Sequence, residues 1–423
     1  MRHTATRLAT IVAGGALLLT ACGGGSGFDK GSAAASGSAT ESVPAASGGD
    51  ITVLIGSSGE AETDAVTKAV QAWSDKSGVK ATVNVASDLN QELAQGFAAG
   101  SPPDVFYTST DQLAGYVANG SLYAYGDKAA AAGDFFPSLK DNFTVDGTFY
   151  CAPKDFSTLA LIINTAAWSA AGLTDGDIPT DWDSLAAAAK KLTTADQVGL
   201  SFGPEYQRLG VFMKQAGGGL IDDTGKKAIV DSAENEKALT FVQQMLKDGV
   251  LKFPSQVDSG WGGEAFGTKK AAMTIEGNWI VGAMKSNYPD VTYKVAPLPA
   301  GPGGKGTLQF TNCWGIAADS DNQGGAVELV DFLTSTDQQL AFADAFGVMP
   351  SVQSAADQFR TKFADQAAFL DSVDFASGMP TVTGATDVIS DFNGKIEGLA
   401  TADVKGVLSS VQGNLQAALD SAG

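Results

Sequence analysis

Residues 51–85, ITVLIGSSGEAETDAVTKAVQAWSDKSGVKATVNV, spell a strand, a helix and a second strand in succession. Ile51 to Ile55 is a β-branched run closed by Gly56-Ser57-Ser58-Gly59, the composition of a strand and the turn after it. Val66, Ala69, Val70 and Trp73 then recur at the spacing of one helix face, and Gly78 supplies the stop. Val79, Ala81, Val83 and Val85 alternate with polar residues, as in a half-buried strand. The pattern repeats at once. A helix carries Leu89, Leu93 and Phe97, Pro102-Pro103 halts the chain, and Asp104-Val105-Phe106-Tyr107 reads as a strand. A helix bearing Leu113, Tyr116 and Val117 follows and ends at Asn119-Gly120. This β-α-β-α-β-α order uses helices as crossovers between strands that run the same way, so the fold class is α/β with a mainly parallel sheet.

The middle of the chain continues in kind. Leu159 to Ile163 is an unbroken apolar run, expected as a strand buried on both faces. Thr180-Asp181-Trp182-Asp183 reads as a capping box opening a helix through Leu185 and Leu192. Another helix carries Ala238, Phe241, Val242, Met245 and Leu246 and stops at Gly249. Trp73, Trp168 and Trp182 fall on amphipathic helices and are expected in the core. The glycine-rich loop 299–306, PAGPGGKG, fails the phosphate-loop pattern because Gly306, not Ser or Thr, follows Lys305. It reads as a solvated turn.

Composition narrows the function. The chain has 423 residues, enough for two domains with separate cores. Its formal charge of −20 repels nucleic acid and anionic membrane, so neither is an expected partner. The first residues supply an address. Arg2 and Arg7 precede an apolar run from Leu8 to Leu19, too short to span a bilayer, and Leu19-Thr20-Ala21-Cys22 follows. A small residue directly before a cysteine resembles a bacterial lipobox. That resemblance implies a signal peptide over 1–21, a diacylglycerol group on Cys22, and a bilayer contact through this anchor only. Removal of the signal removes His3, the single histidine of the chain. Ser-His-Asp and Cys-His nucleophiles and His-ligated zinc are then excluded, and neither a metal nor a cofactor is expected. Residues 22–49 are Gly, Ser and Ala with almost no apolar bulk, a flexible tether with a reach of roughly 30 Å. Cys151 and Cys313 remain as an even pair, either a disulfide or two separate buried thiols.

Six blocks, in order, resemble the extracellular solute-binding proteins of ABC importers, specifically the sugar-binding group that includes maltose-binding protein. The lipobox and tether are followed by ITVLIGSSGEAET with the Trp73 helix and SGVKATV, then by SPPDVFYTSTDQLAGYVANGSL. CAPKDFSTLALIINTAAWSAAGL resembles the crossing between lobes, KKAAMTIEGNWIVGAM the aromatic ligand segment, and NCWGIAADS with FGVMPS the return crossings. The resemblance covers residues 50–423. It implies a two-lobed, type II periplasmic-binding-protein-like fold, each lobe a mainly parallel sheet flanked by helices, with the ligand cleft between them. Lobe one would comprise 50–158 and 314–348, lobe two 159–313 and 349–423, with crossings near 157–162, 312–317 and 347–351. Cys151 and Cys313 would then lie beside two crossings, where a bridge is plausible. The implied protein is a monomer at the outer face of the cell membrane that hands a carbohydrate to membrane permease subunits.

A sugar presents hydroxyls at its edges and apolar C–H faces, so its site needs carboxylates or amides beside flat aromatic rings. In open α/β sheets such sites lie past the C-terminal ends of strands. That rule selects Ser57, Ser58, Glu60 and Glu62 after the first strand, Tyr107, Ser109 and Asp111 after the third, and Asp155 at the first crossing. Glu60, Glu62 and Asp111 are also explained as first-turn acids of helices, although Asp111 matches a sugar-binding aspartate of the family, and Lys154 as a surface neighbour of Asp155. Trp279, in Ile275-Glu276-Gly277-Asn278-Trp279, matches the family's stacking tryptophan, with Glu276 and Asn278 beside it. Tyr206 also matches a family aromatic. Trp314 is either ligand platform or hinge packing, and Trp261 sits between glycines. Two rival readings stand. A glycosidase needs a defined carboxylate pair, and none can be singled out. A polyamine receptor on the same fold would use the same acids and aromatics.

Overall fold

The computed structural model describes residues 48–422. The signal, Cys22 and the tether up to residue 47 lie outside them. The opening repeat contains β1 (Ile51–Ile55), β2 (Ala81–Val85) and β3 (Val105–Ser109), with helices Glu60–Ser77, Leu89–Ala98 and Thr110–Ala118 between and after them. β1 pairs parallel with both β2 and β3. The first helix buries Val66, Ala69, Val70 and Trp73 and ends at Gly78, whose φ of 77° is the left-handed conformation that a residue without Cβ adopts freely.

A small hairpin, β4 (Thr144–Val145) and β5 (Thr148–Phe149), precedes β6 (Ala152–Pro153) and the long β7 (Ser157–Asn164). The chain then forms β8 (Val198–Ser201), β9 (Leu251–Lys252), β10 (Ala271–Gly277), β11 (Tyr293–Ala296) and β12 (Thr307–Phe310). It returns through β13 (Asn312–Ile316) and later adds β14 (Ala376–Ser377). Two large sheets result. One has the order β2-β1-β3-β13-β6, the other β14-β12-β7-β10-β8-β9 with β11 also on β7. The sheets are more mixed than the sequence suggested. β13 runs antiparallel to β3 and β6, and β7 antiparallel to β10, β11 and β12. The strands leading into and out of the second sheet enter against the direction of the βα repeats, a property of the crossings that local periodicity does not carry.

β7 explains its own apolar run. Leu159, Leu161 and Ile163 pack into one buried cluster, while Ala160 and Ile162 face another with Phe156, Phe266, Ile280 and Met349. With both faces covered, no polar position is available for alternation. Trp73, Trp168 and Trp182 are all buried. Trp182 stacks on Phe241 with ring centroids 4.6 Å apart, and its Nε1 donates to Gln215 Oε1. The capping box sits one residue later than read: Asp181 is the extended N-cap, its Oδ1 accepts from Ser184 N–H, and Ser184 Oγ accepts from Asp181 N–H.

Three segments pass between the sheets side by side. Phe156 and Met349 exchange both backbone hydrogen bonds at 3.1 Å, and Lys154 N–H donates to the Asn312 carbonyl. Buried Gln339 binds this bundle together. Its Nε2 donates to the carbonyls of Lys154 (2.7 Å) and Leu333 (3.2 Å), and its Oε1 accepts from Ser351 N–H (2.8 Å). Ser351 Oγ donates in turn to the Pro153 carbonyl. Gln339→Leu keeps the bulk but strands these buried groups. It is expected to lower the unfolding free energy by about 2–3 kcal/mol in a denaturant titration. A loss below about 1 kcal/mol would mean that the crossings hold without this side chain.

Candidate functional site

The space between the two sheets contains a cavity of about 400 Å³. Its walls come from both sides: Ser58 and Glu62 after β1, Ser109 to Asp111 at the end of β3, and Lys154, Asp155 and Ser157 at the first crossing. Asn278 and Trp279 follow β10, residues 309–312 join β12 to β13, and Phe346 to Val348 lie at the last crossing. A second cavity of about 320 Å³ shares Thr110, Asp111 and Met379 with the first. A third, of about 540 Å³, shares Asn393 with the second and is lined by Glu205, Trp261, Glu276 and Glu397. The hollows thus adjoin in series.

A buried charge cluster floors the first cavity. Lys154 Nζ lies 3.0 Å from Glu62 Oε1 and 2.5 Å from Asp155 Oδ2, and 4.5 Å from the centre of the Tyr107 ring. Burial pushes both carboxyls up, but the outcomes differ. Glu62 also accepts from Ser58 N–H, Ser58 Oγ and Tyr107 OH. Lys154 and the two Ser58 donors outweigh burial and hold its carboxyl below the usual range. Burial dominates at Asp155, the neighbouring Glu62 charge adds to it, and the Lys154 ammonium does not offset them, so its carboxyl stays above the usual range. Burial works against the charged form of Lys154, and the two carboxylates outweigh it and hold the ammonium above its ordinary value.

Trp279 stands over the cavity. At 38% exposure it is one of two exposed large hydrophobic residues among those described. Its indole is held from behind: Nε1 donates to Glu276 Oε2 (3.0 Å), the Arg208 guanidinium lies 5.4 Å from the ring centre, and Phe310 meets it edge-on at 5.6 Å. Gly277 makes this pose possible, since a Cβ there would lie 2.1 Å from the ring. Arg208 Nη2 reaches Glu276 Oε2 at 2.5 Å and Nη1 reaches Glu205 at 3.3 Å. Burial raises the Glu276 carboxyl, and Arg208 only partly offsets it. Asn278 donates through Nδ2 to the Gly347 carbonyl, joining β10 to the last crossing, and its buried Oδ1 has no donor.

The candidates divide. Asp111, Asp155, Asn278 and Trp279 line the first cavity beside Ser58, Glu62 and Ser109, and Trp261 and Glu276 line the third. The others lie on none of the three cavity walls. Glu60 is exposed at the start of its helix. Tyr107 and Trp314 are 1% exposed and meet edge to face 4.9 Å apart, with the Tyr107 hydroxyl engaged by Glu62. The Tyr107 ring lies beneath Lys154, and Trp314 packs against Tyr107. Tyr206, 2% exposed, packs toward Phe392. Of the two acids read after the first strand, Glu62 and not Glu60 reaches the cavity, for a helical reason. Two residues turn the chain by about 200°, so the acids face opposite ways. Glu62 is in step with Val66, Ala69 and Trp73, and an acid on an apolar stripe is a legible signal of a buried partner. Lys154 and residues 309–312 carry no such signal. Cys151 and Cys313 are bonded, with Cα atoms 5.7 Å apart, and tie the residue before β6 to β13.

The sequence matches the family of bacterial extracellular solute-binding proteins over residues 34–370. It is 25% identical over 366 residues to the diacetylchitobiose binding protein DasA of Streptomyces coelicolor, covering 84% of each chain. The fold is similar to that of the sugar-binding protein MalE from Xanthomonas citri, with TM-score 0.77, 20% identity, and 88% of this chain and 98% of the other covered. It is also similar to UgpB from Mycobacterium tuberculosis, solved in complex with glycerophosphocholine, with TM-score 0.75, 18% identity and coverages of 88% and 98%. These structural likenesses are of the two-lobed α/β fold.

Proposed function

We propose that this chain, which belongs to the bacterial extracellular solute-binding proteins, captures an oligosaccharide between its lobes and delivers it to the permease of an ABC importer. The observation that carries this reading is the cleft wall. One indole, Trp279, is open to the cavity while fixed from behind, and Asp111, Asp155 and Asn278 line the same cavity. That pairing of flat apolar surface with hydrogen-bonding edges is what a sugar ring requires. The run of adjoining hollows suits a ligand longer than one ring. The relatives named for diacetylchitobiose and sugar binding support the choice of solute.

The work is a binding cycle without chemistry. Lobe one (50–158 and 314–348) and lobe two (159–313 and 349–423) are the bodies that close, and the three crossing segments act as the hinge. Solute shifts the population toward the closed form by contacts made to both walls at once. The signal and Cys22 would hold the protein as a lipid-anchored monomer outside the cell, with the tether lifting it from the bilayer. Among the described residues no helix is long and apolar enough to cross a membrane.

The test is a thermal-shift panel of mono-, di- and oligosaccharides, with spermidine and glycerol phosphate as controls. A ligand at 100 times its dissociation constant adds about 2.7 kcal/mol of stability. The acidic lining favours a polyamine as the second reading, and a response to spermidine alone would establish it. For the sugar found, Trp279→Ala is expected to weaken binding by roughly 30- to 150-fold, about 2–3 kcal/mol, in calorimetry. An unchanged affinity would remove Trp279 from the site.

A further inference from the structure

The charges of the cleft restrict which glycans it can hold. Glu62, Asp111 and Asp155 line the first cavity and Glu205, Glu276 and Glu397 the third, whereas Lys154 is the one basic side chain among the described residues lining the three cavities. Lys154 is fully engaged, clamped between Glu62 and Asp155 over the Tyr107 ring. Arg208 is engaged by Glu276 and Glu205 through its two terminal nitrogens, and its unpartnered Nε is buried in a residue that lines none of the three cavities. Neither cation can turn to an anionic ligand without stranding a buried carboxylate, which is a heavier loss than the new contact returns. What the first cavity leaves open is the opposite kind of group. The Asp111 carboxylate has one side-chain donor, Gln112 Nε2, at the long distance of 3.5 Å. The Oδ1 of Asn278, a residue 2% exposed on the cavity wall, has none.

We infer that the cleft accepts glycans that are neutral or carry amino groups and rejects those that carry carboxylates or phosphates. This rests on the carbohydrate reading above and narrows it. Sugar hydroxyls and ammonium groups supply the donors that Asp111 and Asn278 lack. A uronate or sugar phosphate brings a second negative charge into a partly desolvated space with no free cation to meet it, where like charges repel far more strongly than in water.

The experiment is calorimetry on the full chain, purified in a non-glycosidic detergent. Maltotriose, cellotriose, mannotriose and diacetylchitobiose serve as neutral probes, and the glucosamine trimer as the amine. The galacturonic acid trimer and glucose 6-phosphate are the anions, and spermidine is the non-sugar. The expected result is that a neutral or amino probe binds and that each anionic probe binds at least tenfold more weakly than the tightest of them. An anionic probe within tenfold of the tightest overturns the inference and leaves carbohydrate capture standing. Silence from every sugar overturns the proposed function itself, whether or not spermidine binds. The cause is tested with Asp111→Asn, or Glu205→Gln if that variant does not fold. The ratio of neutral to anionic affinity should fall at least threefold at low salt. A ratio unmoved by loss of a cleft carboxylate would overturn the assignment of the rejection to cleft charge.

Discussion

Replacing both Cys151 and Cys313 with alanine is expected to lower the unfolding free energy by about 5 kcal/mol and the melting temperature by about 6 °C. The two residues are 162 apart in sequence, so the bridge removes a long loop from the unfolded ensemble, and that loss of chain entropy sets the size of the effect. Both cysteines are fully buried, and alanine leaves only a small void, so the change acts mainly on the unfolded chain. Its effect on function should be slight. β6 and β13 are neighbours in the same sheet, Cys313 lying opposite Pro153, so the bridge ties that sheet to itself and does not span the two sheets. Differential scanning calorimetry and ligand titration on the double variant separate the two effects. A melting shift below about 2 °C would mean that the unfolded chain is already compact around this loop. A large change in affinity would mean that the bridge reaches the hinge.

Lys154→Met should remove about 3–5 kcal/mol at neutral pH, because it leaves Glu62 and Asp155 buried together without their shared cation. The pH dependence distinguishes this from simple loss of packing. In the parent protein Glu62 is held below its usual value, so its contribution is present above the unfolded value and is lost as pH falls through the folded one. Asp155, held above its usual value, acts in the opposite sense and favours folding as it takes up its proton. In the variant both carboxyls lose the cation, both folded values rise, and acidification relieves the repulsion. The stability difference between parent and variant should therefore shrink from pH 7 toward pH 5 in urea titrations. Adding Glu62→Gln and Asp155→Asn should recover most of the loss, since a neutral hydrogen-bonded cluster has no stranded charge. A stability gap independent of pH would mean that Lys154 acts through its aliphatic stem against Tyr107.

The sequence was most informative where a residue's fate depends on its near neighbours. The helix spacing of Val66, Ala69, Val70 and Trp73 reports which face is buried, because geometry repeats within a few residues, whereas the alternation of 79–85 fades toward its end, where Val85 is exposed. The same logic placed the helical tryptophans inside and marked Leu159 to Ile163 as covered on both sides. Gly277 before Trp279 was visible as a break between strand and helix, although not as the gap into which the indole folds. Strand direction at the crossings was not visible, since β7 and β13 are set against partners more than a hundred residues away. Nor could local pattern tell Trp279, open to the cleft, from Trp314, which lies under Tyr107. Both follow polar residues near a strand end, and only the element packed above each decides its exposure. The same holds for Lys154. In sequence it is a lysine between proline and aspartate. It becomes a buried cation only because the helix bearing Glu62, folded from residues ninety positions earlier, delivers a carboxylate to it. Secondary structure and the apolar faces are short-range properties that a sequence carries directly. The cleft is made where distant segments meet, and burial, ion pairing and open faces exist there only once the whole chain has folded.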